Sequence, residues 1–336
     1  MQQPMEWTDF PRSAVEFEER FCTEEACYAY LVAQRWPEGF RCPRCNQERA
    51  WALTRRRLLE CKMCGHQASV TAGTVFHRTR RPLRLWFKAM LLLTCQHSGI
   101  SARSLKRQLG LGSYQTAWTW LHKLRRAMVR PSREQLAGEV EVDETLIGGP
   151  EDRMAGRKTL RKAGVVAAVE IVGQGSGRLR LGLIENFTSA TLSDFVGANV
   201  AKGSLVKTDG WSGYCDLPEH GYRHRPRTIG RDSKKASKHF PRVHRAFSLL
   251  KRWLLGTHQG GIQPWRLPAY LDEFVFRYNR RSSRTMTPLP TAVRHRGRHA
   301  TPDLPPARRG IGPRSWASLS KVDSHFTCYP DTRGCS

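Results

Sequence analysis

The stretch Gly138-Glu-Val-Glu-Val-Asp-Glu-Thr-Leu-Ile-Gly-Gly149 decides how the second half of the chain folds. Val140 and Val142 alternate with acidic residues, which is the period of a half-buried β-strand. The turn-forming pair Gly148 and Gly149 stops that strand. An edge strand with an acidic solvent-facing side has the same pattern, so this stretch by itself leaves both interpretations open.

Acidic side chains share one face of this predicted strand. Glu139, Glu141 and Asp143 are spaced two residues apart, and alternate residues of a strand point to the same side. Asp143 lies at the end, where a carboxylate can reach a solvent-filled cleft. A carboxylate there costs stability unless it is paired or binds a cation, so Asp143 is the first candidate metal ligand.

The composition is strongly basic. The chain has 56 Lys and Arg against 29 Asp and Glu, a formal net charge of +27 and a pI near 10.4. This excess of positive charge predicts a polyanionic partner, and it favours nucleic acid over a membrane surface. The longest apolar run, Leu83 to Cys95, is interrupted by Arg84 and Lys88 and is too short to span a bilayer. The first residues lack the form of a signal peptide, so we expect a cytoplasmic protein with no membrane partner.

Two Cys-x-x-Cys pairs have the spacing of a zinc ribbon. Cys42 and Cys45 are separated by 15 residues from Cys61 and Cys64, and each pair can present two thiolates to a tetrahedral ion. Four protein ligands leave no open position, so the predicted Zn²⁺ is structural. Unconnected thiols and a redox pair in duplicate are the alternatives. The segment between the pairs carries three arginines that favour contact with DNA phosphates: Arg55, Arg56 and Arg57.

A helix-turn-helix pattern follows the ribbon. Ser101 is placed to cap a short helix, Gly110–Gly112 to form the turn, and Ser113 to cap the next helix. The residues of the second helix predicted to pack inward are Ala117, Trp120, Leu121 and Leu124. Those predicted to meet a DNA groove are Tyr114, Gln115, Thr116, Thr119, Lys123 and Arg126. A packing hairpin with a solvated basic face is the alternative.

The order of elements after residue 138 predicts an RNase H-like α/β core. After the first strand, further strands are predicted at Val165–Val172, at Arg178–Ile184 and, shorter, from Leu205 to Asp209. Helices are predicted at Thr188–Val200 and from about Arg242 to Leu255. Residues 223–245 are predicted to be mostly loop. In such a core the first and fourth strands lie side by side, so Asp143 and Asp209 can share a pair of cations.

The late helix offers a third ligand. Its buried stripe is predicted at Val243, Phe247, Leu250 and Leu254. His244 and Lys251 are seven residues apart and therefore share a face beside that stripe. His244 can complete the metal site while Lys251 faces the DNA backbone or a leaving oxygen. Each also has a plain alternative: Asp209 as a turn former, His244 as a surface histidine and Lys251 as a solvated cation.

Taken together, these motifs resemble the insertion-sequence transposases that join an N-terminal zinc ribbon to a DDE-type catalytic core. The resemblance covers about residues 15–281. It is carried by the four cysteines and by segments Ser69–Phe76, Val142–Gly149, Thr208–Tyr214, His244–Trp253, Gly256–His258 and Tyr270–Arg281.

The resemblance implies a catalytic set of Asp143, Asp209, His244 and Lys251, with two Mg²⁺ or Mn²⁺ ions held by the first three. It implies metal-dependent cleavage and strand transfer of element ends by in-line phosphodiester attack. His244 stands where the commonest triad has Glu. Imidazole is a softer, neutral ligand that suits Mn²⁺ better than Mg²⁺, so we expect weaker metal binding, or a catalytically dead copy. Glu273 is the rival third ligand.

We expect five parts: a helical lead-in at 1–40, the zinc ribbon at 41–78, the helix-turn-helix region at 79–130, the RNase H-like transposase core at 138–281, and a basic flexible tail at 282–336. The expected partners are double-stranded DNA, both terminal repeats and target, and further copies of the chain in a homo-oligomer. The expected location is the bacterial cytoplasm, in association with the nucleoid.

Two other functions fit parts of the same sequence. A non-catalytic DNA-binding regulator, or a degenerate transposase copy, would need only residues 42–130. A nuclease with the same core would cut DNA without joining ends. The aspartate pair favours an enzyme over a regulator, but the sequence does not separate a transposase from a nuclease.

Overall fold

The computed structural model describes residues 10–53, 56–96, 98–129, 133–148, 162–228, 238–259 and 262–281. Arg55, residues 149–161 and the expected tail 282–336 lie outside the described residues. The chain divides between residues 131 and 132 into two compact units. No helix of the described residues combines the length and apolar character that crossing a membrane requires.

The first unit contains helices α1–α5 and strands β1–β3 of the described residues. Their bounds are α1 Ala14–Arg20, α2 Glu24–Arg35, β1 Ala50–Leu53, β2 Leu58–Cys61, β3 Gln67–Ser69, α3 Leu83–Cys95, α4 Ala102–Gln108 and α5 Tyr114–Ala127. The three strands form one antiparallel sheet in the order β1-β2-β3. This is the connecting hairpin of a zinc ribbon with one strand added.

Helix α3 links the lead-in to the helix-turn-helix region through aromatic contacts. The rings of Phe21 and Phe87 meet edge to face at 4.8 Å, and those of Trp86 and Trp120 stack at 3.9 Å. Phe87 and Trp86 are neighbours in α3, so this helix packs on both sides. Such pairs add about 0.5–1.5 kcal/mol each beyond the area they bury.

The second unit contains strands β4–β8 and helices α6–α8. Their bounds are β4 Glu139–Ile147, β5 Ala163–Val172, β6 Gly175–Ile184, α6 Ser189–Asn199, β7 Leu205–Thr208, β8 Arg223–Pro226, α7 Pro241–His258 and α8 Leu267–Asn279. The sheet order is β6-β5-β4-β7-β8. Neighbours β4, β5 and β6 pair antiparallel, whereas β7 pairs parallel with both β4 and β8. This mixed α/β sheet confirms the predicted RNase H-like core.

Helices cover the sheet on both faces. Val165, Ala167 and Val169 of β5 pack against α7 and α8, while Val166 and Ala168 pack against α6. Residues 163–170 are therefore buried without interruption, which is why β5 reads as a continuous run of small apolar residues and not as an alternating strand.

The structure confirms most of the predicted elements and corrects one. Residues 223–245, predicted to be mostly loop, contain strand β8, which pairs in parallel with β7. Its sequence, Arg-His-Arg-Pro, shows no apolar alternation because it is a mostly exposed edge strand held by backbone pairing. Leu136, which lies between the expected helix-turn-helix region and the expected core, is fully buried and bridges to Val200.

Gly182 of β6 tests the packing of α6 on the sheet. A Cβ atom at Gly182 would lie 2.8 Å from two ring carbons of Phe195, whereas one at Gly197 in α6 would meet nothing within 4 Å. We expect Gly182→Ala to lower the free energy of unfolding by about 1–3 kcal/mol. Gly197→Ala, the matched control, should raise it by about 0.5–1 kcal/mol, because a helical glycine gains helix propensity. Chemical denaturation measures both, and equal stability of the two variants would contradict this packing.

Candidate active site and metal centres

The four ribbon cysteines converge as predicted. Their sulfur atoms all lie within 4.8 Å of one another. The Sγ atoms of Cys42 and Cys64 are 3.7 Å apart, and those of Cys45 and Cys61 are 3.5 Å apart. A tetrahedral site with Zn–S bonds of about 2.3 Å has sulfur–sulfur edges of about 3.8 Å. The cluster therefore fits a structural Zn²⁺ ion held by all four thiolates.

Both cysteine pairs are folded in the same way. The N–H of Asn46 donates to the carbonyl of Cys42 at 2.9 Å, and the N–H of Gly65 donates to the carbonyl of Cys61 at 3.0 Å. Asn46 and Gly65 have left-handed φ angles of 63° and 66°, which asparagine and glycine tolerate best. The turn that follows each pair is thus encoded by the residue directly after its second cysteine.

Backbone N–H groups favour the thiolate form that zinc binds. The N–H groups of Cys64 and Met63 lower the pKa of Cys61, against the effect of burial. Burial acts to raise the pKa of Cys42 as well, yet the N–H groups of Cys45 and Arg44 lower that pKa to about 6.

The arginines predicted to contact DNA phosphates have different surroundings. Arg56 is exposed. Arg57 is bound to two carboxylates of α2, with Glu24 at 3.2 Å and Glu25 at 3.3 Å. The Arg57 guanidinium therefore already has anionic partners inside its own unit.

The two helices, the serine caps and the glycine turn predicted for the helix-turn-helix region are present. The Ser101 hydroxyl accepts the N–H of Ser104 at 3.2 Å, and that of Ser113 accepts the N–H of Thr116 at 3.0 Å. Gly110 in the turn has a φ of 62°. The residues predicted to pack inward are all buried: Ala117, Trp120, Leu121 and Leu124.

The predicted groove residues differ in exposure along α5. Tyr114 is 53% exposed and Gln115 is also exposed. The other predicted groove residues are half-buried: Thr116, Thr119, Lys123 and Arg126. Lys123 lies 5.9 Å from the centre of the Trp86 ring, and burial lowers its pKa. The N-terminal end of α5 is therefore the accessible one, as in recognition helices that read bases with their first residues.

Three carboxylates meet in the second unit. One oxygen of each of Asp143, Glu144 and Asp209 lies within 4.8 Å of the others. The parallel pairing of Glu141 with Lys207, extended by two residues, sets Asp209 opposite Asp143. The N–H of Glu144 donates to Asp143 Oδ1 at 2.8 Å, and the N–H of Trp211 donates to Asp209 Oδ1 at 3.0 Å.

Glu144 is the acid that the sequence did not predict for this site. The period of a strand points it away from Asp143, and its Oε2 accepts the Tyr214 hydroxyl at 2.6 Å on the α6 side. In the described part of the chain, the pairing of β4 with β7 stops at Glu141 and Lys207, and β4 continues without a partner on this side to Ile147. The carboxylates of Asp143 and Glu144 can therefore meet on this side of β4. The one usable signal in the sequence was a second acid directly after Asp143.

His244 lies beside Asp143, at the second turn of α7. Its Nε2 is 3.4 Å from Asp143 Oδ2, and its side chain is 31% exposed. Burial lowers the pKa of His244 and Lys251 lowers it further, while Glu141 and Asp209 act in the opposite direction. His244 is close to the carboxylate group but is not a member of the set whose ligand atoms all lie within 4.8 Å.

Lys251 faces the same region from two turns further along α7. Burial lowers its pKa, the Asp143 carboxylate acts in the opposite direction, and Lys162 adds to the lowering. The rival ligand Glu273 is elsewhere: it is fully buried in α8, where its Oε1 accepts the Arg277 Nε at 2.9 Å. All four residues of the predicted buried stripe on α7 are buried.

Comparisons with known proteins agree with this arrangement. Residues 22–67 match the transposase zinc-ribbon domain, and residues 135–279 match the ISXO2-like transposase domain. A relative described as an uncharacterized protein in transposable element ISH50, from Halobacterium salinarum, is 26% identical over 274 residues, which cover 76% of this chain and 91% of the relative. The chain belongs to the insertion-sequence transposases that combine these two domains, as its motifs predicted.

Zinc content tests the ribbon. We expect Cys61→Ser to lose the bound ion, since three thiolates cannot complete the tetrahedral site. Cys27→Ser is the matched control, because Cys27 is equally buried but lies in α2 outside the cluster. Metal analysis of purified protein should find one zinc per chain in the wild type and in Cys27→Ser. Full zinc content in Cys61→Ser would contradict the four-cysteine site.

Proposed function

We propose that this transposase is catalytically active and that it cleaves and joins element ends by in-line attack on phosphodiesters. The supporting observation is the convergence of Asp143, Glu144 and Asp209 just past the paired segment of β4 and β7, with His244 and Lys251 of α7 directed to the same place. A regulator would have no use for acids held this close, since their mutual repulsion costs stability.

The donor set fits hard divalent cations. Carboxylate oxygens are the ligands that Mg²⁺ and Mn²⁺ prefer, and we propose that Asp143, Asp209, Glu144 and His244 hold two such ions. When bound, these ions supply positive charge for the attacking and leaving oxygens of the phosphodiester. Glu144 restores a third negative charge, which offsets the charge missing because His244 stands where Glu is commonest. A dead copy is therefore not the expected consequence of His244.

The remaining groups hold or complement these side chains. The Trp211 N–H fixes Asp209, and the Tyr214 hydroxyl fixes Glu144, as outer hydrogen bonds orient ligands in metal sites. Lys251 contributes a cation beside Asp143, and we propose that it contacts the phosphate or the leaving oxygen. Partial burial of His244 favours the neutral imidazole. The neutral form binds metals because one of its ring nitrogens has a free lone pair.

We propose double-stranded DNA as substrate. The net charge of +27 supplies affinity that does not depend on sequence and falls with salt. Helix α5 would read the terminal repeats of the element, and the ribbon would contact phosphates. Bringing two element ends together would require two or more copies of the chain. The site of action would be the bacterial cytoplasm, at the nucleoid.

Strand transfer in vitro tests this proposal. Purified protein receives pre-cleaved terminal-repeat duplexes and a supercoiled plasmid with Mg²⁺ or Mn²⁺. We expect joined products from the wild type, loss to background in Asp143→Asn and His244→Ala, and a strong reduction in Glu144→Gln. Asp194→Asn removes an exposed carboxylate of α6 in the same unit and should join ends at the wild-type rate.

Other outcomes identify the alternatives. Cleavage without joining favours the nuclease, and tight DNA binding without cleavage in either metal favours the regulator or a dead copy. If His244→Ala still joins ends while Glu144→Gln does not, Glu144 is the third metal ligand and His244 is not a ligand.

DNA binding by α5 gives a separate prediction. Gln115→Ala removes an exposed side chain able to bond base edges, and should weaken binding to element ends by about 1–3 kcal/mol without affecting unrelated DNA. Arg126→Ala should weaken binding to both DNAs equally and reduce the slope of log affinity against log salt by about 1. Fluorescence anisotropy titrations at several salt concentrations measure both, and an equal loss on both DNAs in Gln115→Ala would contradict base reading by α5.

A further inference from the structure

We infer that Glu141 is a positioning residue, which fixes His244 against Asp143 by binding the first turn of α7 to β4. This inference rests on the proposed function of the site. Glu141 is 1% exposed, and it is not among the three carboxylates whose oxygens lie together. Its hydrogen bonds are made instead to the start of α7.

The Glu141 carboxylate is bound entirely to the start of α7. Its Oε2 accepts the backbone N–H of Arg242 at 2.8 Å and of Val243 at 2.9 Å, while its Oε1 accepts the Arg242 guanidinium at 3.0 Å. Helix α7 begins at Pro241, and Phe240 before it makes no side-chain cap. Glu141 thus satisfies helix donors that would otherwise lack a partner, and its charge complements the positive end of the helix.

The geometry couples this cap to the proposed catalytic groups over a short path. Glu141 and Asp143 are two residues apart and share a face of β4. Val243 directly precedes His244. One carboxylate therefore sets the helix in register with the strand, with His244 Nε2 3.4 Å from Asp143 Oδ2. A slip of one helical residue, about 1.5 Å, would separate these two groups.

Arg242 also binds the start of α7 to a third element, the connection between β5 and β6. Its Nε donates to the carbonyl of Gly175 at 2.7 Å and its Nη2 to that of Gly173 at 3.1 Å. These carbonyls belong to the turn between β5 and β6. The start of α7 is thus held both by β4 and by the β5–β6 turn, which leaves little freedom for His244 to move along the strand.

Glu170 offers a matched control in the same sheet. It is 7% exposed and also accepts two backbone N–H groups, from Ala137 at 3.1 Å and Arg178 at 3.0 Å, together with the Arg178 guanidinium. Its partners lie at residues 137 and 178, outside α7. Loss of either carboxylate removes similar hydrogen bonds, but only Glu141 is joined to the helix that carries His244.

The experiment compares Glu141→Gln and Glu170→Gln in the full chain. We expect similar losses of stability in denaturation, and unchanged affinity for terminal-repeat DNA in both. Joining of pre-cleaved ends should fall about 100-fold in Glu141→Gln, since a displacement of about 1 Å has that effect on rate, and by no more than about threefold in Glu170→Gln. Titration with Mn²⁺ followed by electron paramagnetic resonance should show weaker binding in Glu141→Gln alone.

Glu141→Asp covers the case in which Glu141→Gln does not fold. Its shorter side chain keeps the charge but draws the helix start towards the strand, so the folded variant should also lose joining and Mn²⁺ affinity. Equal losses in the Glu141 and Glu170 variants, or wild-type joining in a folded Glu141 variant, would overturn the inference and leave the proposed function standing. A wild-type chain that neither joins ends nor binds Mn²⁺ would overturn both.

Discussion

The parallel pairing of β4 with β7 is the contact on which the site depends. It joins strands separated by more than 50 residues of sequence and sets Asp209 opposite Asp143. Carboxylates placed this close repel one another, so apolar burial must hold the strands together. Val140 and Val206 provide it by packing with α6. Apolar packing on one face of the sheet thus holds together two strands whose carboxylates repel one another. This is the usual compromise of a functional site.

Features encoded over a few residues could be predicted from the sequence. The cysteine pairs and the serine caps of α4 and α5 each depend on near neighbours, and the structure reproduces them. The half-buried strand predicted from the alternation in β4 was wrong: β4 is central in the sheet, and both of its faces are buried from Val140 to Asp143. The adjacency of β4 and β7 was also accessible, because two acids that share a metal ion have a reason to lie on neighbouring strands. The predicted position of Asp143 at the end of its strand was wrong, since β4 continues to Ile147. The inward stripe of α7 followed from the helical period alone.

Features that depend on distant partners could not be predicted. Glu144 was not predicted for the site because the period of a strand says nothing about where its neighbour β7 ends. Strand β8 is polar and shows no pattern, since its pairing is made by the backbone. The ion pairs of Arg57 with carboxylates of α2, more than 30 residues earlier, could not be read from the segment between the cysteine pairs. In each case the partner that decides the arrangement is far away in the sequence, so the pattern of neighbouring residues does not reveal it.

Two of the described helices that begin without a side-chain cap of their own, α3 and α7, are capped by a distant carboxylate. Glu24 accepts the first N–H groups of α3 across about 60 residues of sequence, as Glu141 does for α7 across about 100. Neither helix start is complete until a distant element has folded, so local and long-range order must form together. For α7 this has a consequence during synthesis: β4 emerges from the ribosome well before α7, and the arrangement of His244 beside Asp143 exists only once the whole core has closed. An incomplete chain therefore carries the acids but not the assembled site.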